Sequence, residues 1–360
     1  MALRDKACVR QVATTYPRAI ARRFLAPDIP VASAPLLEVW RRLHGRTGLG
    51  PAPDVAISRA FGRFAARTLP DDFDVFVGWS SASLEAIEAA KSRGKLTVVE
   101  RGSTHIVHQH EVLDRVYRAH GRHFRGIDPR FIDRECAEYE TADLIAVPTA
   151  FAAATFVARG IDRRRLLVNP YGVDAEIFTA RERPTAAIPT VLFVGAVGFQ
   201  KGAPDLLDAF ASIGAAARLH LAGPLEPGWR PTPGDNTRFL GALDRPGIVA
   251  ALQKADVFCL PSHQEGLSLS LLQAMSAGLP VVATAESGAG EVITDGVEGY
   301  VVGAGDPGRL ASALRQLIDH PDLRARMGRA ARAKALQSTW SAYGDRAVAG
   351  YRAALARLAD

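Results

Sequence analysis

From residue 190 onward, short runs rich in β-branched and aromatic residues alternate with runs of helical periodicity. "TVLFVGA" (190–196), "ARLHLAG" (217–223), "TRFLG" (237–241), "DVFCLPS" (256–262), "LPVVAT" (279–284) and "EGYVV" (298–302) have strand character. Between them fall "APDLLDAFASI" (203–213), "GIVAALQKA" (247–255), "LSLLQAMSAG" (269–278) and "GRLASALRQLI" (308–318), each with apolar spacing suited to a helix. Strands separated by helices cannot close as hairpins, so they run parallel in a sheet covered by helices on both faces. The expectation is an α/β, Rossmann-like domain.

The first half alternates less cleanly. "FDVFVGW" (73–79), "KLTVVE" (95–100), "ADLIAVPT" (142–149) and "RLLVNPYGV" (165–173) are strand candidates, with "SASLEAIEAAKSRG" a helix between the first two. An α/β half of this kind normally opens with a strand, a glycine-rich turn and a helix. Here the first glycine is Gly45, and "VRQVATT" is followed by "YPRAIARRF" without a glycine turn. The expectation is that the first domain lacks its opening β–α unit. Proline, glycine and polar residues mark 171–189 as a linker. The organisation expected is a first domain at 1–170, that linker, a second domain at 190–345, and a helix at 346–360 that packs back on the first domain.

At 360 residues, 48% of them hydrophobic, with a mean hydropathy of +0.02, the chain suits two soluble domains and excludes disorder. No apolar run approaches the roughly 18 residues of a membrane-spanning helix. The stretch "MALRDKACVRQV" lacks the apolar block of a secretion signal. Cys8, Cys136 and Cys259 are too far apart for a disulfide framework or a metal motif. A cytoplasmic location is expected. Residues 1–170 hold 26 Lys and Arg against 19 Asp and Glu, whereas 171–360 hold 18 against 19, so the surplus lies in the first half. That surplus faces an anionic acceptor, an anionic membrane, or simply water. The helix-patterned "APLLEVWRRLHGR" (34–46), with Arg22 and Arg23, is the segment for membrane-surface contact; docking on the parent sheet is its ordinary explanation. No basic run interleaved with aromatics suggests nucleic acid.

Two strand–turn–helix junctions carry the chemistry. In "FVGAVGFQKGAPDLLDAF", Gly195 and Gly198 let backbone approach a ligand, and Lys201 at the rim neutralises phosphate as a point charge. In "PSHQEGLSLSLLQAMSAGLPVV", a helix expected near Leu267 offers free N–H groups to an anion, and Gly266 allows close approach. A carboxylate, Glu265, beside that anion site fits hydrogen bonds from sugar hydroxyls, with phosphate left to the helix amides. Gln273, about two turns on, is within reach of ribose. Its competing explanation is a capping box with Ser270 as N-cap.

The second stretch resembles the nucleotide-sugar motif of retaining glycosyltransferase family 4, the GT-B "group 1" enzymes, in which two glutamates are separated by seven residues. Glu265 matches the first; Gln273 replaces the second. "LFVGAVGFQKG", "EYETADLIAVPTAFAAATFVARGI", "LLVNPYGVDAEIF" and "SGAGEVITDGVEGYVV" extend the resemblance over most of 95–320. It implies two Rossmann-like domains facing across a cleft, Lys201 on the donor diphosphate, and Gly266, Leu267, Ser268 and Leu269 on phosphate or sugar through backbone. It further implies Glu265 on sugar hydroxyls, Gln273 on ribose, and the base near Gly241 to Leu243. Ala196 stands near where the family often has an arginine. In the first domain the resemblance points to Arg101 and His105 as catalytic candidates at a strand end. The cluster His105, His108, His110, His120 and His123 lacks the tight spacing of a zinc site, and a polar helix face is the expected reading.

The implied function is transfer of a sugar, with retention, from a nucleotide-diphospho-sugar to a glycan or lipid-linked acceptor of envelope or polysaccharide synthesis, without cofactor or metal. Two rivals stand beside it: another enzyme on the fold, such as an epimerase or phosphorylase, and a non-catalytic nucleotide-sugar binder.

Overall fold

A computed structural model of the chain describes residues 9–47, 53–180 and 188–359. Its strands, numbered in chain order, are β1 (Val12–Thr14), β2 (Val31–Ser33), β3 (Val75–Trp79), β4 (Leu96–Glu100), β5 (Leu144–Val147), β6 (Leu166–Val168), β7 (Thr190–Val194), β8 (Arg218–Ala222), β9 (Thr237–Gly241), β10 (Val257–Leu260), β11 (Val281–Thr284) and β12 (Gly299–Val302).

The second domain is one parallel sheet in the order β12-β11-β10-β7-β8-β9. Every residue of β7, β10 and β11 is buried, because helices cover both faces, and this is why those strands are continuous apolar runs. The chain winds outward from β7 through β8 and β9, then returns to β10 and winds the other way. That reversal opens a crevice at the carboxyl ends of β7 and β10, where ligands of open α/β sheets bind.

The first domain departs from a single sheet. β3 to β6 pair in parallel in chain order, while β1 and β2 form a separate parallel pair. β2, only three residues long, had no visible sequence signal. Among the described residues no strand pairs with the outer side of β3, and Val77 and Trp79 on it are exposed.

The expected linker is partly core. Val173 and Phe178 are buried in the second-domain cluster, and the Phe178 carbonyl accepts from Ser276 Oγ and Arg332 Nη1, each at 2.8 Å. Residues 181–187 lie outside the described residues. The helix returning to the first domain is Trp340–Ala359, so it starts before residue 346 and inside the span assigned to the second domain. Its Ala347, Tyr351 and Ala354 pack on Leu96, Val98, Leu144 and Ala146 of β4 and β5. Tyr343 donates to Glu100 Oε1 at 2.7 Å, and Arg346 bonds Asn169 Oδ1 at 3.0 Å. No helix among the described residues is long and apolar enough to cross a membrane.

Candidate functional site

The loops after β7 and β10 meet in the crevice. Gly202 has φ +67°, and a Cβ on it would lie 1.9 Å from the Pro261 carbonyl oxygen, so only glycine lets the two loops touch here. That contact sets Lys201 against Glu265 as an ion pair in which both side chains are largely buried. Burial pulls the Lys201 ammonium down to about 8. Glu265 is fixed further by its N–H, which donates to the Glu286 carbonyl at 3.0 Å.

The following helix is Leu269–Ser276, two residues later than expected, with Ser268 as N-cap. Ser270 is therefore inside the helix, and the Ser270–Gln273 capping box does not form. Ser268 makes no side-chain cap either; its Oγ lies 2.9 Å from Ser270 Oγ. The first helical bond runs from Leu272 N to Ser268 O at 3.5 Å, which leaves the N–H groups of Leu269, Ser270 and Leu271 without an intrahelical acceptor. Leu267 and Ser268 are buried, Leu269 is exposed, and Gln273 is half-buried one turn further on. Gly195 follows β7 directly and Gly198 lies against Glu226, where a Cβ would meet Oε2 at 2.1 Å. Gly241 ends β9 at φ +69° with open space around it, and Leu243 beyond it is half-buried.

The first domain closes on these loops through residues the sequence did not single out. Gln264 is buried, and its Nε2 donates to Ser103 Oγ at 2.7 Å and Thr104 Oγ1 at 2.8 Å. Its own Oε1 and carbonyl accept from Gln200 Nε2 at 3.1 and 3.3 Å. Thr149 Oγ1 donates to the Gly266 carbonyl at 3.0 Å, and a Cβ on Gly266 would sit 2.3 Å from Gly102 O. Tyr117 donates to Glu226 Oε1 at 2.5 Å from the same side. The available signal for Gln264 was its place beside Glu265; an amide buried between domains has no spacing pattern of its own.

The two first-domain candidates face inward instead. Arg101 pairs with buried Glu135 at 3.0 Å and donates from Nη2 to Gln109 Oε1 at 2.5 Å and from Nε to Thr104 O at 3.1 Å. Glu135 also accepts from Ser81 and Tyr139. This network consumes the guanidinium in the domain's interior. His105 is the N-cap of the helix Ile106–Ala119: its Nδ1 accepts from Val107 N at 3.2 Å, and its ring packs on Tyr139 and Phe156. Burial depresses its pKa to about 4, so the ring is neutral and serves as cap and core. Both side chains expected at the crevice thus make their contacts inside the first domain. The remaining histidines disperse: His108 stacks on Phe151, His110 on Phe124 and His120 on Phe199, while His123 is exposed.

Fold and crevice together define a two-domain α/β protein of the GT-B kind. The chain belongs to the group 1 glycosyltransferases. The family model "Glycosyl transferases group 1" matches residues 179–334. D-inositol 3-phosphate glycosyltransferase 1 of Catenulispora acidiphila is 30% identical over 381 residues, covering 93% of this chain and 86% of that protein. Glycogen synthase of Mycobacterium tuberculosis is 33% identical over 175 residues, covering 45% of this chain and 42% of its own length. The chain spans about half the length, 42 to 54%, of the first curated relatives it matches. Among solved structures, HepE of Anabaena in complex with UDP superposes with a TM-score of 0.67 at 17% identity, covering 95% of this chain and 92% of that one, a likeness of fold.

Proposed function

We propose that the protein transfers a sugar from a nucleoside-diphospho-sugar to a glycan or lipid-linked acceptor with retention of configuration. The observation that carries this is the Lys201–Glu265 pair, set in the crevice at the N-terminal end of the helix Leu269–Ser276. The UDP and UDP-glucose named for the HepE complexes support the donor class. A donor diphosphate takes Lys201 and the free helix amides, and sugar hydroxyls take the Glu265 carboxylate, so each ligand group replaces one half of the ion pair. Ribose falls to Gln273 and the base to the backbone at Gly241–Leu243. Arg101 is held in the first domain's interior by Glu135, and the His105 ring by Tyr139 and Phe156. This suits front-face transfer, in which the leaving diphosphate accepts the acceptor's proton and the protein supplies positioning and charge. No cofactor and no metal takes part in that chemistry.

We further place the protein in the cytoplasm, working at an anionic membrane through the helix Pro35–Thr47. Leu36, Val39, Trp40 and Leu43 on it are exposed, as is Phe24 elsewhere in the first domain, and the helix also carries exposed Arg41 and Arg42, both paired with Glu38.

The test is calorimetric titration with nucleoside diphosphates and their sugars, followed by assay of transfer to glycan and lipid-linked acceptors. Tight binding with product of retained configuration is expected. Binding without turnover on any acceptor makes the chain a binding module, and release of free or epimerised sugar makes it another enzyme on this fold. Vesicles of phosphatidylglycerol should sediment the wild type but not Leu36→Asp/Trp40→Asp.

A further inference from the structure

We propose that His120, Asp205 and His263 bind a divalent transition-metal cation of the zinc class, which ties the first domain to the start of the helix Ala203–Ile213 and to the loop after β10. One ligand atom from each residue lies within 4.8 Å of the others. They come from three distant places in the chain. His120 ends the helix Ile106–Ala119 of the first domain, Asp205 lies in the first turn of the helix Ala203–Ile213, and His263 is in the loop after β10. No local spacing announces such a set, which is why the sequence offered a different histidine cluster.

A second observation points to a ligand. Asp205 is 6% exposed, and its Oδ2 and the Nε2 of His263 are both buried without a hydrogen-bond partner. The two atoms are only 2.8 Å apart, yet no hydrogen bond of acceptable geometry joins them. Leaving two buried polar atoms unsatisfied is costly, and a cation accepting a lone pair from each removes both costs. The donors are also held in place. His263 N–H donates to Gln200 O at 2.9 Å, and the His120 ring stacks on Phe199, which in turn stacks on Tyr117 and Trp229.

Two imidazoles and one carboxylate form a zinc set with one position open. Imidazole nitrogen disfavours magnesium and calcium, which prefer oxygen. Ligand atoms around a tetrahedral zinc lie about 3.3 Å from one another, given bonds of about 2.0–2.1 Å. The close pair therefore opens slightly, and His120, at a helix end, swings inward. Occupancy stiffens the donor crevice, because His263 is in the same loop as Glu265, and Asp205, in the first turn of its helix, lies four residues after Lys201.

The experiment uses the full chain stripped with chelator, then titrated with Zn2+ against a competing metal indicator. One zinc per chain is expected, unaffected by millimolar Mg2+. His120→Ala, at a half-buried helix end, and Asp205→Asn, which keeps the side-chain shape, should each weaken it by more than the about 10–100-fold typical of an outer-sphere loss. Circular dichroism confirms that each variant is folded. Co2+ in place of zinc should give a visible absorption that both variants lose. No binding by the wild type, or equal binding by wild type and folded variants, overturns the site and leaves His263–Asp205 an ordinary charge contact.

Discussion

At the scale of single residues, the Lys201–Glu265 pair makes two substitutions act in opposite ways. Lys201→Ala removes the cation and leaves the carboxylate facing the diphosphate. Nucleoside-diphosphate affinity should fall by about 10–150-fold, corresponding to about 1.5–3 kcal/mol for a charge-assisted bond. Glu265→Gln frees the ammonium, so the same affinity should hold or rise while sugar transfer collapses. Calorimetry and a transfer assay on both variants separate the roles, and normal transfer by Glu265→Gln would remove the carboxylate from the reaction. Because the Lys201 amine titrates near 8, wild-type affinity for the diphosphate should decline as pH rises past that value, and Lys201→Ala should be flat there. The meeting of these two residues was legible because each sits at a strand–turn–helix junction, where chain order alone fixes the position. The inward contacts of Arg101 and His105 were not. A polar residue after a buried strand has the same sequence signature whether it turns toward a crevice or into a cap and a buried carboxylate.

Among elements, the helix Ile106–Ala119 depends on a histidine as its N-cap, which makes its stability respond to acid. The native pKa of His105 is about 4, below the ordinary 6.5, so the unfolded chain takes up the proton first. Its contribution is complete above about 6.5 and is lost as pH falls toward 4, a change of up to about 3 kcal/mol. His105→Asn keeps an acceptor at the cap without the titration. Denaturant unfolding of both proteins between pH 7 and 4 should show the wild type losing stability relative to the variant; parallel curves would show that the ring is not held neutral. The second-domain elements were readable because strands buried on both faces are apolar throughout. The first domain was harder, since β1 and β2 have three residues each and β3, an edge strand among the described residues, has only Gly78 buried.

For the molecule as a whole, the sequence reading puts a helix at 346–360 back on the first domain, and the helix found on β4 and β5 starts earlier, at Trp340. Its point of departure is tight. A Cβ on Gly172 would fall 2.2 Å from the Trp340 backbone nitrogen. Gly172→Ala should therefore shift the start of that helix and cost about 1–3 kcal/mol, read as a lower melting temperature; an unchanged melting temperature would mean the junction gives way freely. The same scale governs Gln264, whose amide joins the second domain to Ser103 and Thr104 of the first beside the proposed donor site. On the proposed function the donor enters only after this contact opens, so binding should have two clocks. The observed association rate should climb with donor concentration and then level off at the opening rate. Gln264→Ala, which unhooks Ser103 and Thr104, should raise that plateau, the result expected when the speed of capture is set at the latch before it is set by diffusion.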